Sequence, residues 1–331
     1  MRDSRAQLNV VVTGVGALIG QGIIKSLRLT DYGVRIIGVD RGQWSFGASR
    51  CDAFHQKPLD ETGGEYLDFW QGLIESESVD LVIPGLEVDV DFFESRRAWF
   101  TEFKVRLALN SSDLIAATRD KWLFDKNHMA GTGLAKIPTC VAESWEAATD
   151  QLGPPPLLLK PKIGNGSRGH ALLWDESDFE YWRSKSGSNW MIQRVVGTES
   201  EEYTVGVFGL GNGEAIGPIV MKRRLSSNGF TQQAQVVSDP AIEEASLALT
   251  RHFKPLGATN YQFRKERQQA LLLEINPRFS SSNSLRTAFN FNEALMTIDF
   301  FIFDKTPAAP TINSGMAYRY NEDFISHDSS Y

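Results

Sequence analysis

Lys160 ends an apolar run, residues 157–159, and is followed at once by Pro161 and a glycine-rich loop, residues 163–170. A lysine at a strand end beside such a loop can meet phosphate oxygens as a point charge, and Lys121 offers a second ammonium upstream. Gly164, Gly166 and Gly169 surround Asn165, Ser167 and Arg168. That composition can present successive N–H groups and hydroxyls to phosphates and close over them. The pattern G-x-x-x-x-G-K-[ST] is missing, so this is not a P-loop, and taken alone it also suits a hairpin turn. A second cluster stands at Glu274-Ile275-Asn276-Pro277-Arg278, where an apolar strand ends. Period-two alternation puts Glu274 and Asn276 on one face, about 7 Å apart, a spacing that suits hard cations and bound phosphates. Gln262, on the preceding strand, could offer a third oxygen, and Arg278 could clamp a transferring phosphoryl group. For one isolated carboxylate a local hydrogen-bonding role is the better reading; for this cluster it is not.

Other residues are weighed against plainer roles. Gly14, Gly16 and Gly20 follow a strand and open a helix, and Asp40 ends the next strand, as in a nicotinamide dinucleotide site. The spacing is G-x-G-x-x-x-G, and the glycines equally suit a close strand–helix crossing. Glu87, Asp89 and Asp91 read as a substrate-ammonium site or as a solvated acidic loop, with the loop preferred. Arg286 and Asn283 read as holders of a substrate carboxylate, against a helix-surface role for Arg286. His128 and His170 are read as structural or surface histidines rather than bases.

These residues need elements to carry them. Strands are expected at residues 8–12, 34–39, 79–84 and 105–109, with helices at 21–29, 66–76 and 94–103 between them, which implies an open doubly wound parallel sheet. A helical pattern covers residues 113–132 and a short helix starts at Ser144. Residues 190–237 read as strands and turns, 240–253 as a helix, and 258–263 with 270–275 as a strand pair. The stretch from residue 307 reads as a weakly patterned tail. The expected domains are residues 1–112, 113–306 (divided near 190) and 307–331.

Of 331 residues, 34 are Lys or Arg and 41 Asp or Glu, so the charge of −7 argues against a nucleic-acid surface. No apolar run has the length of a membrane span. Two cysteines, Cys51 and Cys140, exclude a disulfide framework and fit a cytoplasmic compartment.

In order and spacing these motifs resemble the ATP-grasp superfamily. They run Asp120-Lys121, Leu158-Leu159-Lys160-Pro161, the loop from Gly164 to Gly169, Gln193-Arg194-Val195-Val196-Gly197, Glu202-Tyr203-Thr204-Val205, Tyr261-Gln262-Phe263 and Glu274 to Phe279. The first unit is similar to the domain preceding the grasp in carbamoyl-phosphate-synthase-like and amino-acid-ligase-like members. The resemblance implies an α/β and α+β fold, a doubly wound pre-ATP-grasp domain followed by a two-subdomain grasp. It implies an ATP- and Mg²⁺-dependent carboxylate–amine or ammonia ligase working through an acyl phosphate on a small amino-acid-like substrate, with one metal ion or two; the alternatives are an NAD(P)-dependent enzyme using the first glycine loop and a non-catalytic nucleotide-binding protein of the same fold. Lys121 and Lys160 are implied phosphate contacts, Gln193 to Val196 the adenine hinge, and Glu199 or Glu202 the ribose acceptor. Lys222, Arg223 or Arg224 would meet the triphosphate. Gln262, Glu274 and Asn276 would hold Mg²⁺, and Arg278 would stabilise the acyl phosphate. Gly16, Glu87, Asn283 and Arg286 are the substrate-side candidates. The partners would be a small carboxylate and an amine; a homodimer stays open. The family has an acidic residue or glutamine where Gln262 stands, and the neutral amide here implies weaker hold on one metal; the sequence departs from the pattern in Gln193-Arg194 at the hinge and Ser280-Ser281-Ser282 after Arg278.

Overall fold

In a computed structural model, which describes residues 7–42, 45–61, 63–164 and 169–325, the β-branched N-terminal run is the centre of a parallel sheet. β1 (Leu8–Thr13), β2 (Val34–Asp40), β3 (Ala53–Gln56), β4 (Leu81–Ile83) and β5 (Arg106–Leu107) lie in the order β3-β2-β1-β4-β5. Both faces are covered, as parallel sheets require. Val11, Ile37 and Val82 pack with Tyr66, Trp70 and Leu73 of helix α2 (Gly64–Glu77). Val10, Val12 and Ile36 pack with Ile23 and Leu27 of α1 (Leu18–Leu27).

Three expectations are corrected here. β3 was not foreseen, because residues 53–56 lack a run of β-branched residues. The helix expected at 94–103 is two helices, α3 (Glu87–Glu94) and α4 (Arg97–Glu102). The acidic run is thus not a solvated loop. Glu87 and Asp89 lie in the first turn of α3, where the helix dipole favours them. Asp89 is fully buried, accepting from the Lys57 ammonium at 2.7 Å and the Thr13 hydroxyl at 2.5 Å, so it is closed to a substrate ammonium.

The expected helix over 113–132 is interrupted. α5 (Ser112–Thr118) stops, and Asp120 caps α6 (Lys121–Asn127) by accepting from the N–H groups of Trp122 and Leu123. A four-stranded antiparallel sheet follows, of β6 (Thr139–Cys140), β7 (Leu157–Lys160), β8 (Ala171–Leu173) and β9 (Met191–Arg194), ordered β6-β9-β7-β8. Helices α7 (Trp145–Leu152) and α8 (Glu176–Ser186) cover its apolar face through Ala148, Leu152 and Phe179.

The third sheet holds β10 (Glu202–Leu210), β11 (Ala215–Leu225), β12 (Thr231–Val236), β13 (Leu256–Glu266), β14 (Gln269–Asn276) and β15 (Met316–Tyr318), ordered β14-β13-β10-β11-β12-β15. Its two faces differ sharply. Tyr203, Val205, Val220, Tyr261 and Phe263 pack on α9 (Pro240–Phe253). The alternating positions Glu202, Thr204, Arg223, Asn260 and Gln262 are polar and face the other way, as period two dictates. The tail is more than a tail. β15 pairs with the free edge of β12, and Arg319 donates to the carbonyls of Thr231 and Ser281. Among the described residues no helix is long and apolar enough to cross a membrane.

Two last helices, α10 (Asn283–Ala288) and α11 (Glu293–Phe301), close the polar face from below. Arg286 is fully buried there. It pairs with buried Glu293 at 3.0 Å and donates to Thr204 and Asn260. Gly206 makes room, since a Cβ there would lie 2.7 Å from the guanidinium. Arg286 is therefore neither a helix-surface residue nor a substrate clamp. Asn283 is also buried, donating to the carbonyls of Ile19 and Ser280 and so tying α10 to α1. Replacing Arg286 by Ala strands a buried carboxylate and is expected to cost about 3–5 kcal/mol. Urea denaturation should show that loss, and Arg286→Met with Glu293→Leu should recover most of it; a single variant as stable as the parent would contradict this account.

Candidate functional site

A cleft of about 670 Å³ opens between the four-stranded sheet and the polar face of the six-stranded one. Thirteen of the residues singled out from sequence line it. β7 and β9 bring Lys160, Gln193 and Arg194, and the chain after β9 brings Val195, Val196 and Glu199. α6 brings Lys121; the opposite wall brings Glu202, Arg223, Gln262, Glu274, Asn276 and Arg278.

Lys160 is 5 % exposed, and its ammonium donates to Gln193 Oε1 at 3.0 Å. β7 pairs with β9, Lys160 lying beside Met191 and Leu158 opposite Gln193, and this holds both polar side chains in the floor. Burial pushes the Lys160 pKa down to about 8 from its usual 10.5, against the attraction of Glu274. Lys121 lies over the same end. Its ammonium donates to the Gly164 carbonyl at 2.6 Å and stands 3.5 Å from Glu274 Oε1. Leu158, Leu172, Val196 and Leu273 supply apolar wall beside these charges.

On the opposite wall, a bulge in the β13–β14 pairing lies between Gln262 and Phe263. It places Gln262 directly opposite Glu274 and Asn260 opposite Asn276. Glu202 is buried and takes two guanidinium groups, Arg223 on Oε1 at 2.9 Å and Arg264 on Oε2 at 2.9 Å. Gln262 Oε1 accepts from Arg223 at 2.9 Å. Arg278 donates to Glu87 Oε2 at 3.0 Å and to Asn276 Oδ1 at 3.1 Å, so α3 reaches the end of the cleft. Glu274, Asn276 and Gln262 are one carboxylate and two amides, a donor set that suits a hard cation shared with phosphate oxygens rather than an all-protein cage. Among the described residues no cluster of three or more His, Cys, Asp or Glu gathers.

Some expected residues lie elsewhere. Lys222 alternates to the far face of β11, where it pairs with Glu201 at 2.7 Å and lies over the Tyr203 ring. It is not at the cleft, because Arg223 takes the inward position. Gly166, Ser167 and Arg168 lie outside the described residues. Gly164 and Gly169 flank that stretch with φ of +153° and +76°, backbone that favours glycine. Gly16 is not in the cleft; its N–H donates to Asp40 Oδ2 at 2.7 Å. Asp40 also accepts from the Gly42 N–H, and a Cβ at Gly20 would lie 2.3 Å from the Gly14 carbonyl oxygen. The close strand–helix crossing accounts for Gly20. Arg264, Asn260 and Ile19 line the cleft without having been foreseen. Period-two counting from Gln262 would have found the first two; Ile19 comes from the distant α1.

Solved structures share this fold. N5-carboxyaminoimidazole synthetase from Staphylococcus aureus, complexed with ADP, superposes with a TM-score of 0.71 at 16% identity, covering 94% of this chain and 82% of that one. Biotin carboxylase from Campylobacter jejuni, in a β,γ-ATP complex, gives 0.70 at 16% identity, covering 93% and 74%. The biotin carboxylase domain of the Hydrogenobacter thermophilus 2-oxoglutarate carboxylase, a dimer with MgADP and bicarbonate, gives 0.72 at 14%, covering 93% and 73%. The family profile described as "ATP-grasp in the biosynthetic pathway with Ter operon" matches residues 188–324. The chain has the ATP-grasp fold. No curated protein sequence matches it.

Lys160 gives this cleft a pH signature. Below about pH 8 the amine is protonated in both folded and unfolded chains. Between about 8 and 10.5 the unfolded chain holds the extra proton, so stability rises with pH through that window. Relative to Lys160→Met, the parent should gain on the order of 3 kcal/mol across it. Denaturation curves at pH 7 and 10 for both proteins check this, and parallel pH profiles would refute it.

Proposed function

We propose that the chain is an ATP- and Mg²⁺-dependent ligase that joins a small carboxylate to an amine or ammonia, releasing ADP. The observation that carries this reading is the buried Lys160 ammonium, with Lys121 beside it, facing Glu274 and Asn276 across one cleft. A protein buries an ammonium with only a neutral partner at a cost. An anion arriving in the cleft offsets that cost. The fold neighbours, whose structures hold ADP, MgADP or an ATP analogue, support the same nucleotide class.

Each wall has a part in this reading. The apolar surface of Leu158, Leu172, Val196 and Leu273 takes the adenine, with the backbone from Gln193 to Val196 as its hinge. Glu199 is exposed at the mouth, whereas both Glu202 oxygens are committed to arginines, so Glu199 is the better ribose acceptor. Lys121 and Lys160 hold phosphate oxygens. Glu274 and Asn276 hold Mg²⁺, which supplies charge stabilisation on the transferring phosphoryl group. Arg278 stands where the substrate carboxylate becomes an acyl phosphate. Glu87, which also faces Arg119 at 3.5 Å, orients its guanidinium. No side-chain nucleophile is needed; the work is positioning and electrostatics. The division into residues 1–112, 113–306 and a tail from 307 belongs to this reading.

Thermal shift with ATP–Mg²⁺ should raise the melting temperature of the parent and leave Lys160→Met and Glu274→Ala little moved. Phosphate and ADP release should then require both a carboxylate and an amine. AMP and pyrophosphate as products, or stabilisation by NAD(P) rather than ATP, would overturn the proposal.

A further inference from the structure

Resting on the nucleotide reading above, we infer that this cleft uses a single divalent cation, and that the Arg223 guanidinium beside Gln262 supplies the second positive charge as a permanent part of the protein. Phosphoryl-transfer sites use one metal ion or two, each held by phosphate oxygens together with carboxylate or amide oxygens of the protein that must be open to it. Here the two strands that face the phosphates offer one carboxylate, Glu274, and at the position directly opposite it a neutral amide, Gln262. An amide oxygen contributes a dipole but no charge, and this one is already engaged.

Gln262 Oε1 accepts from Arg223 at 2.9 Å. The same guanidinium donates to Glu202 Oε1 at 2.9 Å and to the Thr231 hydroxyl at 3.3 Å, so it is held from three strands. Its side chain is 6 % exposed. Burial lowers its pKa, yet a guanidinium starts so high that it stays charged. Glu202 neutralises only part of this group, because its other oxygen is taken by Arg264. Two guanidiniums on one carboxylate leave a positive charge unmatched on the cleft wall. Lys160 adds another, since its hydrogen-bond partner, Gln193, is neutral. One divalent ion with these two fixed charges already matches a fully ionised triphosphate. A second metal beside Gln262 would meet a guanidinium already bound to the amide oxygen it would take.

The inference departs from simple tuning of metal affinity, because it predicts a number. Mn²⁺ titrated into the full-length protein with saturating ADP, and followed by the electron paramagnetic resonance of free Mn²⁺, should show one bound ion per chain. Gln262→Glu with Arg223→Gln restores a carboxylate and removes the competing cation, and should bind two. Arg223→Met should weaken ADP–Mn²⁺ binding by at least about tenfold without changing the ion count, and Arg223→Lys should recover part of it. The parent count needs no variant, so a misfolded variant leaves the test intact. Two ions bound by the parent would overturn this inference while leaving the ATP reading standing. No ADP–Mn²⁺ binding by the parent at all would overturn both.

Discussion

Period-two alternation in the six-stranded sheet governs this molecule. Tyr203, Val205, Val220, Tyr261 and Phe263 of β10, β11 and β13 enter the core against α9, while the alternating Glu202, Arg223, Asn260, Gln262 and Arg264 face the cleft; further along the same face Phe208, Ile219 and Met221 pack under α11. A charged face inside a protein must be satisfied group by group, since an unpaired buried charge costs several kcal/mol. That requirement explains features with no direct part in the chemistry. Arg286 and Glu293 seal the lower end of the polar face, Gly206 is small to admit the guanidinium, and α10 and α11 exist to cover both. The same requirement pairs Glu202 with two arginines and ties Arg278 to Glu87 on another sheet's helix.

Much of the cleft was legible in the sequence because its residues sit at strand ends. Lys160 before Pro161, and Glu274 and Asn276 before Pro277, are local signals; proline ends the strand, and the polar residue before it stands at the strand's end. Alternation made Glu274 and Asn276 face together. What the sequence could not show was which residues of a polar pair turn inward when both neighbours are basic. In Lys222-Arg223-Arg224 the parity is set by pairing with β10, where Tyr203 aligns with Lys222, and only that register sends Arg223 to the cleft. A one-residue slip would have reversed the assignment.

Three other candidates lie away from the cleft for a different reason. Asn283, Arg286 and Asp89 are polar residues near the right stretch of chain, and sequence alone cannot distinguish a polar group facing solvent or ligand from one buried against a partner more than 70 residues away. Thr13 meets Asp89, and Asn283 meets the Ile19 carbonyl, only once the sheets are assembled. The acidic run 87–91 looked solvated because its partners, Lys57 and Arg119, lie in other elements. The tail was opaque for the same reason, since three residues become a strand only when β12 presents an unpaired edge.

These placements bear on how the cleft accommodates a highly charged ligand. The anion-binding groups do not sit at equal depth. Lys160 lies under the floor and is already partly desolvated, whereas Lys121 is tied to the glycine loop through the Gly164 carbonyl and to the opposite wall through Glu274. Lys121 is therefore the charge that connects the loop to the far sheet. On the proposed reading, an arriving phosphate would compete with Glu274 for that ammonium, and releasing Glu274 would free a carboxylate for a divalent ion. The nucleotide and the metal would thus not bind independently. Phosphate at Lys121 would prepare Glu274 for the cation, and the cation in turn would remove the repulsion between Glu274 and the phosphates. A site with a single protein carboxylate needs that coupling, because Glu274 alone, shared with a lysine, is a poor metal site until the nucleotide is in place.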